Sequence, residues 1–174
     1  MKTILLTILT SILFLNVYSV TTYTVTKYTD PDPYKYPYFF DDNKCAPEMY
    51  GTLQWAIRKS MDTPGECIIE FDIPGTGPIT ISLNYTLPTL EAESIVVDGT
   101  TQPGYSKGNP QIILDGNYKL ITGLYFNSMN FPVVKGLYFK RFITQAILFN
   151  NCVEFNVIDS YLQKTDLINQ KLIR

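Results

Sequence analysis

Histidine is absent from this 174-residue sequence. Because histidine is the commonest general base near neutral pH and the commonest ligand of zinc and copper, serine–histidine triads and histidine-based metal sites are excluded. The sequence also has no excess of basic residues, because it contains fourteen Lys and Arg and sixteen Asp and Glu. No Lys/Arg cluster is present to neutralise a row of phosphates, so no nucleic acid partner is expected. We also expect no cofactor and no metal ion.

The sequence lacks an apolar run long enough to cross a membrane. The run at residues 4–15 has about a dozen residues, whereas a bilayer span needs roughly twenty. Lys2 precedes this run, and Val17-Tyr18-Ser19 places a small or branched residue at each position that a signal peptidase inspects. We therefore predict a signal peptide at residues 1–19, and a secreted or cell-surface protein without a membrane segment after cleavage.

The mature part, about 155 residues, is long enough for one domain with its own core. Residues 20–50 begin with a strand-like segment at 21–29, rich in β-branched and aromatic residues, which we expect at a sheet edge. A surface loop rich in Tyr and Pro follows at residues 30–44, because proline opposes both ladder pairing and helix propagation.

Residues 51–65 are predicted to contain a short amphipathic helix. Thr52 or the Gly51 peptide can cap its start, and Pro64-Gly65 stops it. Trp55 lies off the apolar stripe and is expected to cover neighbouring structure rather than to stack on a sugar. The stripe consists of four apolar side chains at spacings of three and four: Leu53, Ala56, Ile57 and Met61.

The sequence has three cysteines and one glycosylation sequon. Cys45 and Cys67 flank the predicted helix, and in an oxidising compartment they can form a disulfide worth about 3 kcal/mol. Cys152 lies in an apolar strand-like segment and is expected to be a buried, inert thiol. The sequon Asn84-Tyr85-Thr86 would place Asn84 on the surface in a host that glycosylates.

From residue 66 onward, short β-rich runs recur between turn residues, which indicates a stacked β architecture. The runs are 68–71, 79–83, 95–98, 111–114, 124–126, 133–134, 137–139, 147–149 and 157–158. Residues 123–127 reappear at 146–150, and residues 134–139 at 157–162, both with an offset of twenty-three. Such a constant offset predicts solenoid coils of about 23 residues, with Asn127 aligned on Asn150 in a hydrogen-bonded ladder.

Six sequence words follow one another in a fixed order: GTLQWAI at 51–57, IEFDIPGTGPITI at 69–81, LPTL at 87–90, VDGTTQPGY at 97–105, PQIILDG at 110–116 and GL at 136–137. Together they resemble the N-terminal cap and first coils of the CSLREAI-type secreted β-helix proteins. Gly51 replaces the eponymous cysteine, and Gln54 and Trp55 replace the usual Arg and Glu, so a salt bridge between that pair is not carried over. The resemblance implies an all-β, right-handed parallel β-helix of the pectate-lyase-like class, and no universal catalytic set.

In this interpretation the helix covers the open ladder of the first coil. The coils at residues 66–174 lack a closing segment, so we expect the β-helix to be incomplete at its C-terminus. One hypothesis is therefore a polysaccharide lyase or glycoside hydrolase without its later coils. Its candidate catalytic residues are Asp98, Asp115 and Asp159, with Arg141 as base or charge stabiliser.

We favour structural roles for these residues. Asp98-Gly99 and Asp115-Gly116 are ordinary turn dipeptides, and Arg141 is most simply a solvated surface residue. The preferred function is a non-catalytic module for adhesion or glycan contact, whose partner is an extracellular polysaccharide or another surface protein. Five tyrosines can stack on sugars if they face outward, although two of them, Tyr138 and Tyr161, can equally form an internal stack. The five are Tyr105, Tyr118, Tyr125, Tyr138 and Tyr161.

Overall fold

The computed structural model describes residues 19–36, 41, 44–163 and 168–171, so residues 1–18 of the predicted signal peptide lie outside it. This part of the chain contains one α-helix, α1, at Leu53–Met61. Its strands, β1 to β12 in chain order, are Thr21–Val25, Glu66–Phe71, Ile79–Ser82, Ser94–Asp98, Ile112–Asp115, Thr122–Asn127, Val133–Lys135, Leu137–Lys140, Gln145–Asn150, Asn156–Ile158, Tyr161–Leu162 and Ile168–Lys171. All nine runs predicted as strands lie in or overlap one of these. The described chain is mostly β, in agreement with the predicted all-β class.

The strands form three sheets in which every strand pair is parallel. Sheet A has the order β1-β2-β4-β7-β10, sheet B has β3-β5-β8-β11, and sheet C has β6-β9-β12. From β4 onward the chain visits A, B and C in turn, three times. Leu90 extends this order toward the N-terminus, because it forms a parallel bridge with Phe126 of β6. Each circuit therefore adds one strand to each sheet.

In three of the nine strand pairs of the described chain, β6–β9, β7–β10 and β8–β11, the register aligns residues that are twenty-three positions apart. The offset differs in the other six pairs. In sheet C, Asn127 is opposite Asn150, and the Asn150 Nδ2 donates to the Asn127 Oδ1 at 2.6 Å, as expected from the sequence. In sheet B, Tyr138 is opposite Tyr161. The same offset recurs in the turns, where four pairs share a left-handed backbone: Tyr118 with Arg141, Ser128 with Asn151, Phe131 with Glu154, and Gly136 with Asp159. Equivalent turns therefore repeat between circuits.

Buried side chains from all three sheets form one hydrophobic core, to which several strands contribute alternate residues. In β8, for example, Leu137 and Phe139 are fully buried, whereas Tyr138 and Lys140 are only partly so. Phe126, Phe149 and Phe155 stack in succession, with ring centroids 5.0 and 4.1 Å apart. Each fully buried phenylalanine contributes about 1.5–3 kcal/mol to the free energy of unfolding.

Helix α1 packs against β1 and β2, at the N-terminal edge of sheet A. Thr52 caps it, since its Oγ1 accepts from the Trp55 amide at 3.3 Å. The predicted stripe is buried at Leu53, Ala56 and Ile57. With nine residues the helix cannot span a bilayer, and no other described segment forms a helix that could.

Two residues of α1 outside the apolar stripe, Gln54 and Trp55, are also buried, which the stripe did not indicate. The Trp55 indole lies 5.8 Å from the Tyr23 ring and 4.6 Å from the Tyr50 ring, and is only 6% exposed. This confirms that it covers neighbouring structure. Gln54 is buried as well, because Asp30 and Pro31 of the preceding segment receive its amide hydrogens.

No disulfide is formed among the described cysteines. The thiol of Cys67 is fully buried and faces the Ser60 carbonyl oxygen at 3.5 Å, while the Cys45 thiol faces the Ala46 carbonyl oxygen at 3.6 Å. Burial, with the nearby charge of Glu66, raises the pKa of Cys67 and disfavours the thiolate needed for disulfide exchange. The Cys45–Cys67 disulfide therefore stays a prediction, which mass analysis of the oxidised protein can test. Cys152 is buried, as expected.

Candidate functional site

The four candidate catalytic residues fall at two different corners of the fold. Asp98 ends β4 and Asp159 follows β10, so both lie where the chain passes from sheet A to sheet B. Asp115 ends β5 and Arg141 follows β8, at the opposite end of sheet B. The structure therefore brings Asp115 and Arg141 into direct contact, and it places Asp98 and Asp159 at the other corner.

Asp115 is fully buried and its carboxylate is surrounded by donors. Arg141 Nε donates to Oδ1 at 2.7 Å, and a second guanidinium nitrogen contacts Oδ2. The Asn117 amide donates to Oδ1 at 3.0 Å, and the Lys140 ammonium is 3.5 Å from Oδ2. Arg141, expected as a solvated residue, is thus held by an ion pair, and its guanidinium lies 5.6 Å from the centre of the Tyr118 ring.

Two opposing effects act on the pKa of Asp115. Burial raises it, but the hydrogen bonds from Arg141 and Asn117 and the charges of Arg141 and Lys140 together lower it below the ordinary value. A general acid needs a raised pKa and access to substrate. Asp115 has neither a raised pKa nor access to substrate. We therefore assign the Asp115–Arg141 ion pair a structural role, which is to stabilise this corner of the fold.

The corner between sheets A and B contains the second pair. Asp98 accepts hydrogen bonds from the Thr100 amide and hydroxyl at 3.0 and 2.5 Å, and forms an ion pair with Lys135 at 2.7 Å. The backbones of adjacent circuits touch here, because a Cβ added to Gly99 would lie 2.4 Å from the Gly136 carbonyl oxygen. In the register of the neighbouring strands β4 and β7, Asp98 lies opposite Lys135.

Tyr105 interacts with both carboxylates of this corner, Asp98 and Asp159. Its pKa is raised above the usual value by burial, then by the negative charge of Asp159 and by Tyr161, with a hydrogen bond to Asp159 and the charge of Asp98 adding to the effect. Asp98 and Asp159 both lie near one phenol, but each already has a hydrogen-bond partner. Among the described residues, no group of three or more Cys, Asp or Glu could hold a metal ion.

A groove of about 470 Å³ lies on the outer face of sheet B, beside this corner. Thr80, Ile113, Tyr138 and Tyr161 form one register row across the sheet. Since the flanking Leu137 and Phe139 point into the core, the row points outward, and Tyr161 is 43% exposed. The alternative of an internal tyrosine stack is therefore wrong. The groove is lined by Pro78, Gly108, Asn109, Pro110, Ile113, Tyr138, Tyr161 and Leu162.

The loop between β4 and β5 forms one wall of the groove. Gln102 fixes its base, because its side-chain amide exchanges two hydrogen bonds with the backbone of Ile73, at 2.8 and 2.9 Å. The Asn109 amide donates to the Ser106 carbonyl at 2.8 Å and closes a turn. Gly108, with a φ of 85°, brings this turn over Tyr161, since an added Cβ would lie 3.4 Å from the Tyr161 hydroxyl.

Most of these groove residues were not predicted. Alternation along β8 would have identified the outward position of Tyr138, and the offset of twenty-three would then have added Tyr161. The residues next to Gln102 in the sequence do not indicate that its side chain forms hydrogen bonds with the backbone of Ile73, which is twenty-nine positions away.

Of the remaining predicted surface residues, Asn84 and Tyr118 are exposed. Tyr125 is half-buried in sheet C, opposite Leu148. Comparison of the chain with models of protein families, with curated proteins and with solved structures gave no match. The resemblance to the CSLREAI-type proteins therefore remains a hypothesis, and the geometry of the groove is the basis for function.

Proposed function

We propose that this protein is a secreted or cell-surface module with a right-handed parallel β-helix fold, which contacts glycans without cleaving them. Three observations support the fold: the chain visits three parallel sheets in turn, the pairs β6–β9, β7–β10 and β8–β11 align residues twenty-three positions apart, and α1 packs on the first strands. The order of the six sequence segments that resemble CSLREAI-type proteins also agrees with a β-helix fold. Secretion rests on the signal-like residues 1–19.

The outward row of Tyr138 and Tyr161 in the groove carries the proposal of glycan contact. A ligand site typically combines apolar and aromatic walls with a few fixed polar groups. Here Ile113, Pro110 and the two tyrosine rings supply apolar surface, while the Asn109 side chain and the tyrosine hydroxyls can supply hydrogen bonds. Tyrosine suits a sugar, because its ring packs on C–H groups while its hydroxyl remains hydrated.

The state of the carboxylates favours binding over catalysis. Hydrolysis needs two carboxyl groups on either side of the scissile bond, one of them free to donate a proton. Asp98 is neutralised by Lys135 and Asp115 by Arg141, so neither is available as that acid. A carbohydrate-active enzyme is therefore the weaker candidate.

The test is a binding and turnover screen of the purified mature protein on a polysaccharide panel, with and without calcium. We expect binding without unsaturated products or new reducing ends, and a loss of affinity of about tenfold in Tyr161→Ala. Tyr118→Ala is the matched control, because Tyr118 is exposed but lies at the other corner, beside Arg141. Absence of binding across the panel would contradict the proposal, and turnover lost in Asp98→Asn would identify an enzyme instead.

A further inference from the structure

The sequon Asn84-Tyr85-Thr86 plays no part in the groove. It follows β3 in a segment without helix or strand. Asn84 and Thr86 are both exposed, whereas Leu83 and Leu87 on either side are buried in the core. The acceptor residue and the hydroxyl residue of the sequon therefore both lie on the surface, where an oligosaccharide can be accommodated.

Asp30 fixes the position of the sequon through its backbone. The Asp30 Oδ2 accepts from the Asn84 amide at 2.6 Å and from the Tyr85 amide at 3.0 Å. The Asn84 side chain takes no part in these two bonds. Its Nδ2 donates to the Ser82 carbonyl at 3.3 Å, and since a side-chain amide has two hydrogens, one remains for replacement by a sugar.

The Ser82 carbonyl belongs to the free edge of sheet B. β3 is the last strand on this side of the sheet in the described chain. The Ile79 and Leu83 amides donate toward β5, at 2.7 and 2.9 Å. Because backbone groups alternate in direction along a strand, those of Thr80 and Ser82 point to the free side. The Asn84 side chain therefore lies beside this edge.

The first strands of sheets A and B differ in what protects them. Helix α1 packs against β1, the first strand of sheet A. In contrast, β3 consists of Ile-Thr-Ile-Ser and contains neither a charge nor a proline. Such an edge can pair with a strand of another chain unless something covers it. A bulky, hydrated group on Asn84 is well placed to do so.

We infer that Asn84 is an N-glycosylation site whose oligosaccharide covers the free edge of β3. The inference goes beyond glycan contact by the groove and shares with it only the proposed secretion. In the reaction, the Asn84 Nδ2 bonds to C1 of a lipid-linked oligosaccharide. The C1–O bond to the lipid diphosphate breaks, the diphosphate leaves with the electron pair, and the amide loses one proton.

The experiment expresses the full chain, with its own signal peptide, in a eukaryotic secretory cell line. The intact mass of the protein is measured before and after treatment with a peptide N-glycosidase, which converts the acceptor asparagine to aspartate. We expect one oligosaccharide on the wild type and on Thr86→Ser, which keeps the sequon. Thr86→Ala should carry none.

Self-association of the same proteins tests the covering role. Light scattering should show a monomer for the glycosylated wild type. Thr86→Ala, and wild type deglycosylated after folding, should form dimers or larger species at a severalfold lower concentration. The matched control is Thr86→Ala/Ile158→Thr, which creates a sequon at the exposed Asn156 of β10, the last described strand of sheet A. An oligosaccharide there should not restore the monomer.

The outcomes separate this inference from the proposed function. A secreted wild type without an oligosaccharide would overturn the site and leave glycan contact by the groove intact. If the protein is neither secreted nor glycosylated, the site and the proposed secretion both fail. A deglycosylated protein as monomeric as the wild type would overturn the covering role, as would a monomer restored by the relocated oligosaccharide. Near-ultraviolet circular dichroism confirms that each variant is folded.

Discussion

Asp30, in the N-terminal segment, and Asp115, in the sheets, are anchored in opposite ways. Asp30 joins three segments: the Gln54 amide of α1 contacts Oδ1, and the Asn84 and Tyr85 backbone amides donate to Oδ2 at 2.6 and 3.0 Å. All these donors are neutral. Asp115 instead faces two cations, Arg141 and Lys140. The negative charge of an aspartate is therefore compensated by neutral hydrogen-bond donors at Asp30 and by cations at Asp115.

This difference sets the direction of each pKa. Burial raises the pKa of Asp30, and the hydrogen bonds from Gln54, Asn84 and Tyr85 only partly offset it. At Asp115 the cations outweigh burial and the pKa is lowered. Ionised Asp30 thus carries an unfavourable charge, whereas ionised Asp115 stabilises the fold.

The largest loss of stability should come from removing Arg141, the cation that donates to both carboxylate oxygens of Asp115. We expect Arg141→Ala to lower the free energy of unfolding by about 2–3 kcal/mol, because it leaves a buried carboxylate with only Lys140 and the Asn117 amide. The value is below that for a fully buried pair because Arg141 is partly solvated. Urea unfolding measures it, with the exposed Lys119→Ala as control. A loss no greater than the control's would show that the pair is not structural.

The same isosteric substitution should have opposite effects in the two regions. Asp115→Asn should destabilise the protein by about 1–2 kcal/mol, since it removes the charge that Arg141 requires. Asp30→Asn should change stability by less than about 0.5 kcal/mol, or increase it. The Gln54 Oε1 atom is buried without a partner among the described residues, and a rotated Gln54 amide can accept from the new asparagine. Equal losses at the two sites would refute the comparison.

The pH dependence of stability should differ in sign between the two sites. The raised pKa of Asp30 means that its contribution is full below 3.8, its ordinary value, and is lost as pH rises through the folded pKa. The lowered pKa of Asp115 means that its contribution is full above 3.8 and is lost as pH falls through the folded pKa. Asp30→Asn should therefore flatten the profile above 3.8, and Asp115→Asn below it. Thermal melts across this range measure both, and profiles unchanged by either variant would contradict the assignment.

Local features of the sequence were enough to predict the strands, the helix and the Asn127–Asn150 alignment. These depend on alternation, helical spacing and a repeated offset, all of which can be read within short windows. The ion pairs were not predictable in this way. Asp115 and Arg141 are twenty-six positions apart and meet only once the register of β5 and β8 is fixed. Gly116, after Asp115, indicated a turn, which is correct but does not identify the partner of Asp115.

Among the contacts that join neighbouring circuits, the smallest effect on stability should come from the neutral Asn127–Asn150 pair. This pair tests whether a contact repeated between circuits stabilises the fold without a charge. Asn150→Ala should cost about 0.5–1 kcal/mol, because it removes one hydrogen bond at the partly exposed end of β9. Asn127 also donates to Glu91 at 2.7 Å, so the loss should be partial and the fold unchanged. Ser128→Ala, at the adjacent exposed turn position, is the control for urea unfolding. A loss as large as that of Arg141→Ala would mean that the aligned amides, rather than the buried charges, hold neighbouring circuits together.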